Sequence, residues 1–268
     1  MIPNVLTLAG VDPSGGAGIF ADLKAFSALG AYGTGVVVAL TAQNTQGVTG
    51  VQLVPAGFVK EQIDTLFNDV RIDAAKVGML ATAELVSTVA DGLRRHSVKR
   101  LVVDPVMVSK SGHHLLQPDA VEALRRELLP LAEVITPNLP EAGVLLNRPE
   151  PRTIAEMRTA ARALHGLGPR FVLLKGGHLE SDESTDILDD GRTQIELPSR
   201  RIPTRNTHGT GCTLSAAITA LLPQRPSVLE AVRDAKMWLT LAIGAADELS
   251  VGHGHGPVNH FHALWPKR

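Results

Sequence analysis

The sequence predicts an α/β fold with a mostly parallel central sheet flanked by helices. Short apolar runs recur along the chain, segments with apolar residues at helical spacing separate most of them, and Pro or Gly stands at many of the joins. This alternation is typical of βαβ units. The chain has 268 residues and 44% hydrophobic content, which suffices for one large core. We therefore expect a single domain over residues 1–268.

Six short apolar runs predict parallel strands that are buried on both faces. They are Val5–Ala9, Val36–Ala39, Ala75–Val77, Arg100–Val103, Val134–Thr136 and Phe171–Leu174. A further pair of segments, Asp186–Asp189 and Thr193–Leu197, flanks Asp190-Gly191. Because Asp-Gly is a common two-residue hairpin turn, this pair predicts a small antiparallel hairpin beside the parallel strands.

Seven segments carry apolar residues at helical spacing and predict helices. They are Ile19–Leu29, Lys60–Asp69, Ala83–Arg95, Ala120–Leu129, Ile154–Leu164, Thr213–Leu222 and Val228–Leu249.

Composition and charge exclude several classes of partner. The net charge is −1 and only 3% of residues are aromatic, which argues against nucleic acid binding. Cys212 is the only cysteine, so no intrachain disulfide can form. No secretory signal occurs at the start, and no apolar run is long enough to span a membrane. We expect a cytoplasmic protein without membrane or nucleic acid partners.

The segment Asn206–Ser215 predicts a site for an anion. Gly209 and Gly211 allow a turn whose N–H groups converge on one point, and an apolar helix follows. Cys212 lies in this turn, where a helix N-terminus is expected to lower the pKa of its thiol. A thiolate there could act as a general base. A nucleophilic cysteine activated by His208 and a buried apolar cysteine are the alternatives.

A glycine-rich stretch follows the first predicted strand at residues 10–18, and it is typical of a loop that binds phosphate or a small ligand. It is not a Walker A loop, because no Gly-Lys-Ser/Thr follows. The acidic residue that a dinucleotide site needs after the second strand is also missing. The alternative is a tight turn in which Asp12 binds the backbone.

Polar and soft side chains follow the next two strands. Gln43 and Asn44 offer amides that can both donate and accept, as recognition of a heteroaromatic ring edge requires. Met79 could form an apolar wall for a flat ligand. Loop capping by the amides and core packing by Met79 are the alternatives.

Charged residues at three further strand ends predict a site for a metal and phosphate. Asp104 and Glu141 supply the few carboxylates that Mg²⁺ prefers, and Asn138 faces the same turn as Glu141. Lys175 emerges from a strand beside two glycines, where a phosphate is its natural partner. Helix capping by the first three residues and a snorkelling lysine are the alternatives.

Two other segments are of interest. Four histidines lie within residues 251–262, but their spacing matches no usual zinc site, so we expect a structural or adventitious role. Residues 106–116 are polar and contain glycine, which suits a lid over a reactive phosphate. A plain surface loop is the alternative.

Five motifs occur in an order that resembles the hydroxymethylpyrimidine and phosphomethylpyrimidine kinases, a branch of the ribokinase superfamily. The motifs are residues 9–18, 104–107, 136–142, 174–178 and 207–213, and the resemblance also covers residues 254–261. It implies a ribokinase-like three-layer α/β/α sandwich and a homodimer. Most superfamily members carry Asp at the position of Cys212, so this cysteine marks the branch.

The resemblance also implies a reaction and a set of site residues. ATP with Mg²⁺ would phosphorylate 4-amino-5-hydroxymethyl-2-methylpyrimidine to the monophosphate and then to the diphosphate, for thiamine diphosphate. The implied pyrimidine contacts are Gln43, Met79, Val106, Asp22 and Gly10. Asp104 and Glu141 would serve the metal, Lys175, Asn138, Thr207 and Thr210 would serve ATP, and Cys212 with Gly209 and Gly211 would be catalytic.

Two alternative functions remain at this stage. Some relatives phosphorylate pyridoxal and carry a second cysteine in the lid, whereas residues 106–116 contain none here. A non-catalytic ligand-binding relative is the other alternative, against which the intact Asp104, Glu141, Lys175 and Cys212 argue.

Overall fold

The computed structural model describes residues 1–107, 116–179 and 183–266, and it contains one nine-stranded sheet. The strands are β1 (Asn4–Val11), β2 (Tyr32–Gln43), β3 (Val48–Leu53), β4 (Ala74–Val77), β5 (Leu101–Val103), β6 (Val134–Ile135), β7 (Phe171–Leu174), β8 (Asp186–Asp189) and β9 (Gln194–Leu197).

The sheet is mostly parallel, in the order β3-β2-β1-β4-β5-β6-β7-β8-β9. Six neighbouring strands run parallel, and they are the six that the apolar runs predicted. These strands are β2, β1, β4, β5, β6 and β7. β3 pairs antiparallel with β2 at one edge, and β8 and β9 add two antiparallel strands at the other. The predicted α/β class with a mostly parallel sheet is confirmed.

Helices cover both faces of the sheet. They are α1 (Gly18–Ala28), α2 (Ala56–Asp69), α3 (Ala83–Arg95), α4 (Pro118–Ala123), α5 (Leu139–Leu146), α6 (Ile154–His165), α7 (Thr210–Leu221) and α8 (Val228–Gly244). Helices α1, α7 and α8 pack together on one face, and α2 to α6 lie on the other. Within the described part of the chain, no helix combines the length and apolar character that crossing a membrane requires.

Alternation along the strands explains why both faces are buried. In β5, Leu101 and Val103 enter the apolar cluster under α2 to α6, whereas Val102 enters the cluster under α7 and α8. In β7, Val172 and Leu173 divide in the same way. A strand buried on both faces is continuously apolar, which is why these strands were recognisable in the sequence.

Two elements were absent from the prediction. β3 is half exposed, so its apolar pattern is weak, and β2 is twelve residues long because its far end pairs with β3. α5 has only eight residues. The predicted hairpin forms, but its turn holds four residues, since Asp189 pairs with Gln194. Asp190 stabilises that turn by accepting hydrogen bonds from the N–H groups of residues 192 and 193.

Helix ends differ from the prediction where they bear on function. α7 begins at Thr210, three residues before the predicted start, so Cys212 lies inside its first turn. α8 ends at Gly244 rather than Leu249. Of the predicted lid, residues 108–115 lie outside the described residues. Its two flanks are joined, because Leu116 N donates to Met107 O at 3.3 Å.

Candidate active site

A cavity of about 770 Å³ opens at the carboxyl ends of the parallel strands, between the two helical layers. Ligands in open α/β sheets bind at this edge. All of the predicted site residues except Asp22 line this cavity. They are Gly10, Gln43, Met79, Asp104, Val106, Asn138, Glu141, Lys175, Thr207, Gly209, Thr210, Gly211 and Cys212. The structure therefore brings residues from seven widely separated segments into one site.

The N-terminus of α7 forms the floor of one part of this cavity, and we name residues 209–212 the anion cradle. Gly209 caps the helix with φ 73°, a left-handed conformation that favours glycine. The N–H groups of Gly211 and Cys212 belong to the first helical turn, where no carbonyl of a preceding turn is available. Such amides, together with the helix dipole, attract an anion.

The Cys212 thiol lies in the cavity wall, but its predicted acidity is wrong. Burial raises the pKa of Cys212 to about 11, and the carboxylates of Asp104 and Asp22 add to this effect. The ammonium of Lys76 and the N–H of Gly18 act in the opposite direction but do not compensate. The helix N-terminus alone therefore does not produce a thiolate here, because burial destabilises the charged sulfur more than the anion cradle stabilises it.

Asp104 and Lys175 form a buried ion pair at the ends of β5 and β7. Lys175 Nζ donates to Asp104 Oδ1 at 3.0 Å, and the hydroxyls of Thr136 and Ser215 donate to the two oxygens of the same carboxylate. Burial acts to raise the pKa of Asp104, but the charges of Lys175 and Lys76 and the hydrogen bonds from Lys175 and Thr136 together outweigh it, so that pKa is lowered. The charged carboxylate is thus available beside the anion cradle, because a Cβ at Gly211 would lie only 3.9 Å from it.

Glu141 serves two purposes at the start of α5. Its carboxylate accepts from Asn138 N at 2.8 Å while Asn138 Oδ1 accepts from Glu141 N, so the pair forms the capping box considered as an alternative. Glu141 also lines the cavity. Burial raises its pKa to about 7, because the nearby Lys175 charge lowers it less than burial and Asp104 raise it.

The residues at this edge fit a magnesium ion that is completed by substrate. Among the described residues, no group of three or more His, Cys, Asp or Glu side chains could hold a metal alone. Asp104 and Glu141 supply two carboxylates on the cavity wall. Mg²⁺ commonly binds one or two carboxylates, with waters and phosphate oxygens filling its other positions. This donor set suits such an ion better than a closed metal cage.

Another part of the cavity wall suits a flat ring. Met79 packs against Gly10, and a Cβ added at Gly10 would lie 3.0 Å from the Met79 sulfur, so the methionine would have to shift. Val106 and Gln43 line the same cavity, and Thr41 Oγ1 donates to Gln43 Oε1 at 3.2 Å. Asn44 instead closes the turn between β2 and β3, since its Oδ1 accepts from residues 46 and 47.

Asp22 is not among the residues that line the cavity, in contrast to its predicted contact with substrate. It is fully buried behind the wall, where its carboxylate accepts from Lys76 Nζ at 2.8 Å and from Thr7 Oγ1 at 2.6 Å. Burial acts to lower the pKa of Lys76, but the charges of Asp22 and Asp104, with further contributions from neighbouring groups, together outweigh it, so that pKa is raised and the lysine is protonated. Lys76 lines the cavity and was missed by sequence reasoning, although a lysine inside a buried strand signals such a partner.

A second pair that was missed joins two loops of the site. His208 lies 2.7 Å from Asp12 between Nε2 and Oδ2. Asp12 also accepts hydrogen bonds from Ser14 N and Ala17 N of its own loop. This loop is therefore a turn in which Asp12 binds the backbone, which was the alternative interpretation of the glycine-rich stretch. Of the tail histidines, His260 is buried against Thr213 Oγ1 at 3.1 Å, and burial lowers its pKa to about 3. That histidine therefore packs the first turns of α7.

Comparison with known proteins decides the family. The model of the phosphomethylpyrimidine kinase family matches residues 12–259. The hydroxymethylpyrimidine/phosphomethylpyrimidine kinase of Salmonella typhimurium is 55% identical over 262 residues, which cover 98% of either chain. The chain belongs to the phosphomethylpyrimidine kinase family. The family predicted from the five motifs is confirmed.

Solved structures place this kinase family among vitamin kinases of the same fold. A Bacillus subtilis pyridoxal kinase in complex with ADP is similar at a TM-score of 0.91 and 37% identity, over 98% of this chain and 99% of that one. A Clostridium difficile phosphomethylpyrimidine kinase has a TM-score of 0.80 and 43% identity, over 90% of this chain and 99% of that one. The ribokinase-like fold is confirmed by both.

The raised pKa of Cys212 predicts slow alkylation at neutral pH. Because iodoacetamide reacts with the thiolate, the rate constant should rise about tenfold for each pH unit from 7 to 9, without levelling off. Mass spectrometry of the intact chain measures this directly, since Cys212 is the only cysteine. A rate that levels off near pH 7 would show that the thiol is acidic.

Proposed function

We propose that this protein transfers the γ-phosphoryl group of ATP to the hydroxymethyl oxygen of 4-amino-5-hydroxymethyl-2-methylpyrimidine. The same site then phosphorylates the resulting monophosphate to the diphosphate, for thiamine diphosphate biosynthesis. The observation that carries this proposal is a single cavity whose wall combines two chemically different groups of residues. Gln43, Met79 and Val106 line this cavity, and so do the anion cradle and Lys175 beside it. The relative that is 55% identical over nearly the whole chain carries this pair of activities in its name.

The pyrimidine end provides contacts of the right kind. Met79 and Val106 are apolar walls for the faces of a ring, and the Gln43 amide matches the ring nitrogens and the exocyclic amine. Gly10 leaves space for the Met79 side chain, because a Cβ at residue 10 would lie 3.0 Å from the Met79 sulfur and the methionine would have to shift. The hydroxymethyl group then points along the cavity toward Cys212.

The triphosphate end provides charge where phosphoryl transfer requires it. Lys175 and the amides of the anion cradle stabilise the negative charge that spreads over the transferring group. Gly211 leaves room beside the lysine, since a Cβ at residue 211 would lie 3.2 Å from Lys175 Nζ, at the position where a phosphate would approach that amine. Asn138, Thr207 and Thr210 line the same part of the cavity and offer further polar contacts to ATP.

Asp104 and Glu141 would hold the magnesium ion, which neutralises phosphate charge when bound. Because the pKa of Glu141 is about 7, its carboxyl is partly protonated near neutral pH and must lose that proton to act as a ligand. Lys175 remains beside both carboxylates and limits their mutual repulsion.

The adenine fits the apolar extension of the cavity between α7 and α8. Leu214 lines this extension together with Leu239 and Ile243 of α8 and Ile202 of the preceding loop. A flat, weakly polar base suits such walls. The ADP complex of the Bacillus subtilis pyridoxal kinase, which shares the fold, supports nucleotide binding in this architecture.

Cys212 is the proposed proton acceptor in the first phosphorylation. The substrate oxygen bonds to the γ-phosphorus, the bond from that phosphorus to the bridging oxygen breaks, and ADP leaves. The hydroxyl proton passes to the thiolate form of Cys212, which is the minor form at neutral pH because burial raises the pKa of this thiol to about 11. In the second phosphorylation the acceptor is a phosphate monoester, which is already ionised at neutral pH and needs no base. The two steps therefore differ in their dependence on Cys212.

Pyridoxal phosphorylation is the competing function, because pyridoxal kinases share the fold at 35–37% identity. Initial rates of ADP formation with MgATP separate the possibilities, using hydroxymethylpyrimidine, its monophosphate and pyridoxal in parallel. We expect kcat/KM for each pyrimidine to exceed that for pyridoxal about tenfold or more. A preference for pyridoxal would overturn the substrate assignment, and no turnover at all would favour a non-catalytic relative.

Cys212→Ala should affect the two phosphorylations unequally. Loss of a general base lowers a rate by about 10²- to 10⁴-fold, so kcat for hydroxymethylpyrimidine should fall within this range. With the monophosphate, kcat should fall by less than about fivefold, and this reaction serves as the internal control for folding and ATP binding. The first step in the wild type should also accelerate from pH 7 to 9, as the thiolate fraction grows. Equal losses in both steps would contradict the assignment of a base.

We further propose that residues 1–268 act as one ribokinase-like domain and that the enzyme is a homodimer. One continuous sheet supports the single domain. At its edge, β2 extends beyond β1 and pairs with β3, and Leu40 and Val51 are exposed there. An exposed edge strand with apolar side chains favours pairing with a second copy. Sedimentation should give twice the 28.4 kDa of one chain, whereas a monomer would refute the dimer.

A further inference from the structure

Two loops of the site meet at a buried pair of side chains. We name residues 12–18 the glycine-rich loop; it follows β1 and leads into α1. His208 directly precedes the anion cradle, and its Nε2 lies 2.7 Å from Asp12 Oδ2. Only 3% of the Asp12 surface and 8% of the His208 surface are exposed, so water does not compete for this contact.

Asp12 is the acceptor in this pair. Its Oδ1 accepts from Ser14 N and its Oδ2 accepts from Ala17 N, at 2.9 and 3.0 Å. Burial acts to raise the pKa of Asp12, but the hydrogen bonds from His208 and Ser14 outweigh it and lower that pKa. Because an ionised carboxylate can only accept, His208 Nε2 carries the proton and donates it to this bond.

The backbones of the two loops touch beside the pair. A Cβ at Gly209 would lie 1.7 Å from Gly16 O, and a Cβ at Gly16 would lie 2.4 Å from the His208 ring. No side chain can be added at either glycine without separating the loops. The contact between Asp12 and His208 thus joins the glycine-rich loop to the loop of the anion cradle at a point where the two backbones already touch.

A segment near the C-terminus holds His208 from the other side. His208 N donates to Gly256 O at 3.0 Å, and Gly256 N donates to Asn206 Oδ1 at 3.0 Å. Two residues earlier, Gly254 N donates to Thr45 Oγ1 at 3.1 Å. Since Thr45 follows Gln43 by two residues, the segment also ties the pyrimidine end of the cavity to the loop of His208.

We propose that Asp12 and His208 are a positioning pair for phosphoryl transfer, and that their contact holds the glycine-rich loop, which lines the cavity, in a fixed position against the anion cradle. The proposal rests on the proposed function, because it assumes that the pyrimidine and the ATP phosphates bind in the cavity that both loops line. The glycine-rich loop also reaches the reacting end, where Gly18 N donates to the Cys212 sulfur.

Loss of the contact should reduce the rate more than the binding. Each loop retains its own internal hydrogen bonds, so either substrate still finds its contacts. The two loops are then no longer held in a fixed position relative to each other, and a misplacement of the reacting groups by about 1 Å can lower a rate about 10²-fold. Poor alignment should also let water compete with the acceptor for the phosphoryl group.

The test compares two substitutions of His208. Leucine fills similar space without a donor, whereas glutamine can extend an N–H to the position of Nε2. His208→Leu should lower kcat about 100-fold with both KM values changed less than about threefold, and His208→Gln should stay within about fivefold of wild type. In His208→Leu, the fraction of ADP formation that yields phosphorylated pyrimidine should fall, which a general loss of folded protein cannot cause.

His253→Leu is the matched control, because it makes the same substitution at an exposed histidine of the tail that does not line the cavity. It should retain the wild-type kcat and the wild-type coupling, by which we mean the fraction of ADP formation that yields phosphorylated pyrimidine. If His208→Leu does not fold by circular dichroism, Asp12→Asn replaces it, since asparagine keeps the shape and one acceptor but loses the charge. That variant should show the same loss of kcat and coupling.

The outcomes separate the two proposals. Absence of turnover in the wild type refutes the proposed function. If the wild type is active, the positioning role is refuted by equal activity of the leucine and glutamine variants, by a loss confined to KM, or by unchanged coupling in His208→Leu or Asp12→Asn.

Discussion

The buried ion pair between Lys76 and Asp22 is the interaction on which the arrangement of the site depends. Lys76 stands in a central strand and has no exposed surface, so its charge must be paired inside the protein. Asp22 pairs it from α1, and Thr7 fixes the carboxylate from β1. Removing one partner of a buried pair typically costs about 3–5 kcal/mol. The pair therefore holds α1, and with it Gly18, against the sheet beneath Cys212.

The same dry environment that requires this pair also determines the chemistry of Cys212. Burial suppresses the thiolate, and the lysine beneath it only partly restores it. The site thus favours a protonated sulfur before ligands bind and a strong base once the proton is lost. Such a group suits an alcohol acceptor, which is a very weak acid, better than it suits an ionised phosphate.

Much of the fold and the site could be predicted from the sequence, because continuous burial leaves a clear apolar signal. The six parallel strands and the residues at their carboxyl ends belong to this class. Half-exposed β3 lacks that signal, and α5 is too short to show a helical period. Asp22 was misassigned, and the contact of Asp12 with His208 was missed, because partners 54 and 196 residues away are set by packing and leave no local pattern.

The contact of residue 254 with Thr45 spans 209 positions of the chain. Closing so long a loop is entropically unfavourable until the intervening strands and helices have packed. During synthesis, the sheet can therefore assemble while the loops around the cavity are still open. The contact of residue 254 with Thr45 can form only after almost the whole chain has left the ribosome, so the loops around the cavity are the last part of the fold to be fixed.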